Sequence, residues 1–511
     1  MAESFHASYI PEPSLVFGGG FPAVDPKTGL RLFGPYSPTP NRVRVGIVGD
    51  SLTVDQVKRL LEICSRGAAG PASYPLWTQD FPGATLAGAL RCEFLVRDEW
   101  CRTLPQDEID RLEDGRTLQD RIGRAVDLFH RAISALHERE DAPTVYICAP
   151  PRRMMDLCLP IEGEPGKPRG RRGRRSFAEK NFVSASARHP GQKTLAAYFD
   201  EVKEIEEEMF RRMAGDNLHH FLKARAMTIP APTQLIRPYT LEKLFENEPG
   251  RLQDLATVCW NLAVALFYKA GGRPWRLAEL PAGTCYVGIS FFREKEVFGG
   301  QIGTSLAQVF TPEGEGLVLR GATFPWAVGK EPHLTADAAR MILEKVLEAY
   351  HRQAETLPKR VVVHKTSHFS SEERTGMKQA LAGIPRHDFV TIYEHAKGIK
   401  FFRSGEQPPL RGTSITLPDG SKLLFTRGYV PLLRVYPGAR VPRPLEIYFE
   451  EIDSPKDEIC REILGLTKLN WNTADFAGML PITLAFSREV GNILREVPPT
   501  VTPMAKYLYY M

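Results

Sequence analysis

Residues 219–238 read HHFLKARAMTIPAPTQLIRP, and residues 255–272 read LATVCWNLAVALFYKAGG, with an acidic linker between them. His219 and Lys223 stand four residues apart in a segment of helical character, so their side chains share one helix face. Gln234 follows in TQLIR, a run that predicts a strand. Lys269 closes an amphipathic helix and is followed at once by Ala270, Gly271 and Gly272. Taken singly, each of these residues reads as ordinary solvated surface, because most lysines are exposed. Converging on one point, one His, two Lys and one Gln suit a terminal phosphate. The ammonium groups supply charge, and the imidazole and amide supply directed hydrogen bonds.

Upstream, RVRVGIVGD (42–50) predicts a buried strand ending in a Gly turn, and SLTVDQVKRLLEIC after it predicts a helix with Ser51 as its cap. A long helix is expected over 116–139 and another apolar strand over 144–150. Strands alternating with helices indicate a parallel, Rossmann-like sheet. The glycine spacing of a dinucleotide site is absent from GIVGD, which argues against an NAD-dependent enzyme. Gly18-Gly19-Gly20 likewise lacks the spacing of a phosphate loop, and no helix pattern opens after it, so 1–41 reads as turn-rich and extended. Between 161 and 175, Lys167, Arg169, Arg171, Arg172, Arg174 and Arg175 alternate with Gly and Pro. This run reads equally as a solvated loop and as a loop gripping phosphate backbone or an acidic partner. The acidic helix expected over 199–214 reads as solvated surface.

Downstream of Cys285 the pattern changes. CYVGISFF and GLVLRGATF predict strands, 336–353 a strongly periodic helix, and Val361–His364 a buried strand. The chain of 511 residues is too long for one core and predicts two to four domains. A 43% hydrophobic and 25% charged composition is that of a folded globular chain, and the formal charge of +5 is mild. A nucleic-acid partner must therefore be argued from local clusters. Eight scattered Cys without a CxxC argue against zinc and fit reduced thiols. No signal peptide or long apolar run occurs, so a cytoplasmic protein with no membrane partner is expected.

The order His219, Lys223, Gln234, Lys269, with Gly-Gly close behind, resembles the MID domain of Argonaute proteins, where a Tyr/His–Lys–Gln–Lys set holds the 5′ end of a guide strand. EPSL (12–15) and LFGPYS (32–37) resemble the start of short prokaryotic Argonautes, and 466–494 resembles the family's final segment. The resemblance implies an α/β fold: an N-terminal extended segment (1–41) packing on PIWI, a Rossmann-like MID domain (42–278) and an RNase H-like PIWI domain (279–511), with no N or PAZ domain. It implies a small guide, expected to be RNA with a 5′-phosphate, paired with complementary single-stranded DNA of an invader. Structural Mg²⁺ at the guide 5′ end, bridged to the C-terminal carboxylate of Met511, is implied too. Output is expected from a separate APAZ-containing subunit with a TIR, sirtuin-like or nuclease domain. That effector commonly degrades NAD⁺ in prokaryotic antiviral defence by abortive infection, with a possible higher oligomer on activation.

A slicing PIWI domain needs carboxylates for two divalent ions. At the family's first position, Tyr286-Val287-Gly288-Ile289-Ser290 puts Ser290 where an Asp belongs. After the next strand, His364-Lys365-Thr366 offers Thr366. Near the fourth position Asn470-Trp471-Asn472-Thr473 offers no carboxylate, although Asp475 follows. Glu294 and Glu296 read as solvated acids beyond a strand end. No catalytic residue is therefore assigned, and binding without cleavage is expected. The competing expectation is an active guide-directed nuclease whose carboxylates lie elsewhere.

Overall fold

The computed structural model describes residues 6–159, 217–245, 253–293, 302–310, 316–325, 331–394, 400–436, 438, 441–497 and 501–511. The basic run from Lys167 to Arg175, the expected acidic helix over 199–214, and Glu294 and Glu296 lie outside the described residues.

The first lobe is built on Arg42–Gly49, buried without a break from Val45 onward. Such an unbroken apolar run marks a strand covered on both faces, as parallel sheets require. It pairs in parallel with Glu93–Leu95 and Cys101–Thr103 on one side and Val145–Ala149 on the other, and the latter pairs in parallel with Thr233–Leu235. Helix Ser51–Arg66 follows the first strand, but its cap is Asp50 rather than Ser51. The Asp50 carboxylate accepts from the Thr53 N–H at 2.8 Å while the Asp50 N–H donates to the Thr53 hydroxyl, closing a capping box. The long helix runs Leu118–His137 from a Thr117 cap.

The N-terminal stretch holds a helix that its composition conceals. Pro26–Phe33 is helical, with the Asp25 carboxylate accepting from Thr28 N at 2.7 Å and Gly34 ending it at φ +76°. The Asp-Pro start and Gly stop are correct helix signals, drowned by the Gly- and Pro-rich sequence on either side. Farther in, Leu15–Val16 pairs with Arg276–Leu277, and His6–Tyr9 pairs with Thr413–Thr416 at the edge of the large sheet. Glu12 meets Arg411 at 2.7 Å and Lys468 at 3.4 Å, and Lys468 also donates to the carbonyls of Val24 and Pro13.

The second lobe carries a nine-stranded sheet. Thr284–Arg293 leads into antiparallel strands Ile302–Phe310 and Gly316–Pro325. On its other side it pairs in parallel with Arg360–Lys365, which pairs in parallel with Arg386–Tyr393. Helices Ala336–Ala354 and Ser371–Ala380 supply apolar side chains to one face, and Lys456–Leu466 to the other. A further apolar cluster runs from Val43 through Trp260 and Trp275 to Tyr286, Ile482 and Met511, so the two lobes share a core. All eight cysteines are free thiols. No helix among the described residues is long and apolar enough to cross a membrane.

Candidate functional site

Where the lobes meet, three separate elements deliver the four residues picked out above. His219 and Lys223 lie on the helix over 217–226. Gln234 is the middle residue of the strand Thr233–Leu235, and Lys269 is the last residue of the helix Leu255–Lys269. That helix starts at an Asp254 cap and stops before Gly271, whose φ of +94° suits glycine. Lys223 Nζ donates to the Thr233 carbonyl at 2.6 Å and to the main-chain oxygen of Met511. Lys269 Nζ donates to Gln234 Oε1 and lies 3.5 Å from Asn472 Oδ1. The structure thus brings Lys223, Gln234, Lys269 and Met511 into one buried cluster, with Asn472 added to it.

The electrostatics of this pocket are unusual. Lys223 is 2% and Lys269 3% exposed, yet among the described residues no Asp or Glu carboxylate pairs with either. Burial pushes the Lys223 ammonium down to about 7 and holds Lys269 well below the usual lysine range, the charge on Lys223 adding to the latter. Burial also holds the His219 imidazole low, helped by the positive charges of Lys223, His220, Arg237 and Lys269. Lys223, Lys269 and His219 thus lie close together, and no Asp or Glu carboxylate among the described residues pairs with either lysine. A dianionic phosphate placed among them would restore their protons and gain charge-assisted hydrogen bonds.

The second candidate region lies at the strand ends of the large sheet. Gly288 stands opposite His364 in the parallel register. The pairing ends at Ile289 opposite Lys365, one residue before Ser290 and before Thr366, which lies just past its strand. Ser290 is buried with its Oγ unpartnered, and Thr366 is exposed. Thr483, on the short helix Ile482–Ala485, covers the face that carries Gly288 and His364. His364 Nδ1 lies 2.8 Å from its hydroxyl, and a Cβ on Gly288 would come within 1.8 Å of its carbonyl oxygen. Burial lowers the His364 imidazole to about 3, which leaves it neutral. On the opposite face Lys365 is held by both Glu373 oxygens at 2.6 and 2.7 Å.

No family model matches the chain, and no curated protein matches it. Solved structures do. The Clostridium butyricum Argonaute bound to a guide DNA and a 19-mer target DNA superposes with a TM-score of 0.62 at 15% identity, covering 98% of this chain and 54% of that one. Drosophila Piwi gives 0.57 at 14% identity, covering 99% and 56%. The chain has an Argonaute-like fold. Aa-Ago with externally bound siRNA agrees, at 0.56 and 15% identity over 99% and 56%. The chain spans about half the length of each of these proteins.

Within this Argonaute-like fold, the Rossmann-like sheet is the MID-like part and the nine-stranded sheet the PIWI-like part. One segment takes a place that sequence reasoning does not give it. Asn470–Thr473 reads as the fourth position of a metal cluster, whereas the structure sets Asn472 against Lys269, 203 residues earlier. Asp475 sits near Lys27, where it and Asp25 partly oppose the lowering of that ammonium by burial. Arg237, which acts on His219, and Thr483, which covers the Ser290 face, are also missed. Arg237 is visible as the end of TQLIR. Nothing in the sequence signals that Asn472 or Thr483 faces its partner.

Proposed function

We propose that this protein is a short prokaryotic Argonaute that holds a 5′-phosphorylated small guide, RNA in our reading, and pairs it with complementary single-stranded DNA without cutting it. The observation that carries this is the buried cluster at the lobe junction of an Argonaute-like fold, in which no Asp or Glu carboxylate among the described residues pairs with Lys223 or Lys269. Lys223 and Lys269 neutralise the guide's terminal phosphate, Gln234 donates to it, and His219 donates to it or stacks on the first base. Base pairing then supplies sequence specificity while the protein grips backbone and shape, as in other guided systems.

Absence of cleavage is supported by Ser290 and Thr366, two neutral hydroxyl residues one step beyond the last paired residues Ile289 and Lys365, where two-metal chemistry needs carboxylates. Output then comes from a separate APAZ-containing effector subunit, activated when target pairing shifts a conformational equilibrium. Mg²⁺ at the guide end fits in part. The Met511 oxygen is the hard donor such an ion prefers, but its present partner is the Lys223 ammonium. The ion therefore needs the guide's own phosphates for its remaining ligands.

The test is to purify the protein from its host, extract the nucleic acid and label 5′ ends before and after phosphatase. The loaded protein is then given complementary DNA with Mg²⁺ or Mn²⁺. Short 5′-phosphorylated guides with an intact target are expected. A cut target would overturn the reading of Ser290 and Thr366 and favour a guided nuclease.

A further inference from the structure

His219 has two neighbours that the phosphate reading does not use. His220, next on the same helix, places Nε2 2.7 Å from Oε2 of Glu489, which comes from the PIWI-like helix Ser487–Glu496. The two imidazole rings lie 5.7 Å apart between centroids. The ligating atoms of His219, His220 and Glu489 all fall within 4.8 Å of one another. The His220 side chain is 6% exposed and that of Glu489 44%, so the set is buried at its base and open at one end.

Two imidazoles and one carboxylate are donors for a borderline transition metal, whereas Mg²⁺ and Ca²⁺ favour oxygen-only cages. Three protein ligands with an open fourth position are the usual arrangement of an accessible Zn²⁺ site. We propose that His219, His220 and Glu489 bind a divalent transition-metal ion, Zn²⁺ foremost, clamping the MID-like lobe to the PIWI-like lobe. Bonds of roughly 2.0–2.1 Å place tetrahedral ligand atoms about 3.4 Å apart. The His220–Glu489 pair must therefore open slightly and the widest pair close by at most about 1.4 Å, within reach of side-chain rotations.

The site also touches the neighbouring pocket chemically. A His bound through one ring nitrogen keeps its other N–H as a donor, which His219 can direct to the phosphate. The cations Lys223, Lys269 and Arg237 oppose a dication in the empty pocket, and a bound phosphate offsets them. Metal and phosphate therefore favour each other's binding, reciprocally. The donor set itself does not depend on the guide reading.

The experiment titrates chelator-treated, guide-free full-length protein with Co²⁺, read by its visible d–d bands and by competition with Zn²⁺. One equivalent is expected to bind with four-coordinate bands. Glu489→Gln and His220→Ala are expected to weaken binding at least about 10–100-fold, the loss that even an outer-shell partner brings. Should His220→Ala fail to fold, Glu489→Gln, at a partly exposed position, decides alone. Zn²⁺ should raise the Tm of the wild type and not of Glu489→Gln. Absence of bands, or equal binding by Glu489→Gln, would overturn the site and leave His220–Glu489 as a plain hydrogen bond between lobes. A 5′-phosphorylated oligonucleotide should tighten Co²⁺ binding and a 5′-hydroxyl one should not. Equal effects of the two, with Co²⁺ binding intact, would reject the phosphate pocket rather than the metal.

Discussion

The lobe-junction pocket and the strand-end region of the large sheet both bury ionisable groups, and they treat them oppositely. In the large sheet the buried cations Lys365 and Arg360 are met by carboxylates. Lys365 lies between the two oxygens of Glu373, and Arg360 Nε contacts Asp388 at 2.7 Å while its Nη2 meets Glu462 at 3.0 Å. At the junction no Asp or Glu carboxylate among the described residues meets Lys223 or Lys269: Lys223 donates to the Thr233 carbonyl and the terminal Met511 oxygen, Lys269 to the Gln234 amide oxygen, and burial lowers the proton affinity of both. Burying a charge without a counter-charge is costly. Groups left in that condition mark places where a ligand completes the charge balance, whereas met charges hold the fold together.

The largest expected effect attacks the junction. Lys223→Met with Lys269→Met keeps much of the stem volume and removes both charges. Each charged hydrogen bond is worth about 1.5–3 kcal/mol, so 5′-phosphorylated guide should bind roughly 10²–10⁴-fold more weakly, and 5′-hydroxyl guide much less so. Guide-free Tm should not fall. Fluorescence anisotropy and a thermal melt read the two quantities, and equal losses for both guides would mean the lysines supply only general charge.

On the compensated side Glu373→Gln strands the Lys365 ammonium. A loss of about 3–5 kcal/mol in unfolding free energy is expected by urea titration, as for other broken buried pairs. The preference for a 5′-phosphate should stay intact. A smaller change should follow from converting the neutral strand ends. Ser290→Asp with Thr366→Asp sets two carboxylates one step beyond the last paired residues and should cost about 2 kcal/mol without divalent ions, on the order of one unsatisfied buried group. Mn²⁺ should recover part of the lost Tm. Recovery would identify these positions as a vestigial metal locus, and no response would separate them from one.

The smallest effect is a proton count. Lys223 titrates near 7 in the folded chain against an ordinary 10.5. The cost of its charge is full below about pH 7 and is lifted as pH rises from there towards 10.5, so guide-free Tm should rise across that window, and less so in Lys223→Met. Phosphate binding reverses the shift. Calorimetry at pH 8 in buffers of different ionisation enthalpy should show uptake of up to about one proton for 5′-phosphate guide and little for 5′-hydroxyl guide.

Much of this was legible in the order of residues. Continuous apolar runs such as Val45–Gly49 and Val361–Val363 announce buried parallel strands, since only strands covered on both faces tolerate them. His219 and Lys223 share a helix face by spacing alone. Local signals also misled where two caps competed, as at Asp50 and Ser51, or where Gly and Pro hid the short helix Pro26–Phe33. The neutral residues Ser290 and Thr366 stand in the sequence itself, but that both follow the last paired residues of neighbouring strands is a matter of register between strands more than 70 residues apart, which no local pattern encodes.

What only the tertiary structure decided is which groups share a pocket and how they are charged. Asn472 reaches Lys269, Met511 reaches Lys223, and Glu489 reaches His220 because the two lobes close on a common core. Sequence spacing fixes neighbours within an element through the periods of helix and strand. Contacts between elements follow from how their apolar faces pack, and the proton affinity of Lys223 follows from the depth at which that packing leaves it.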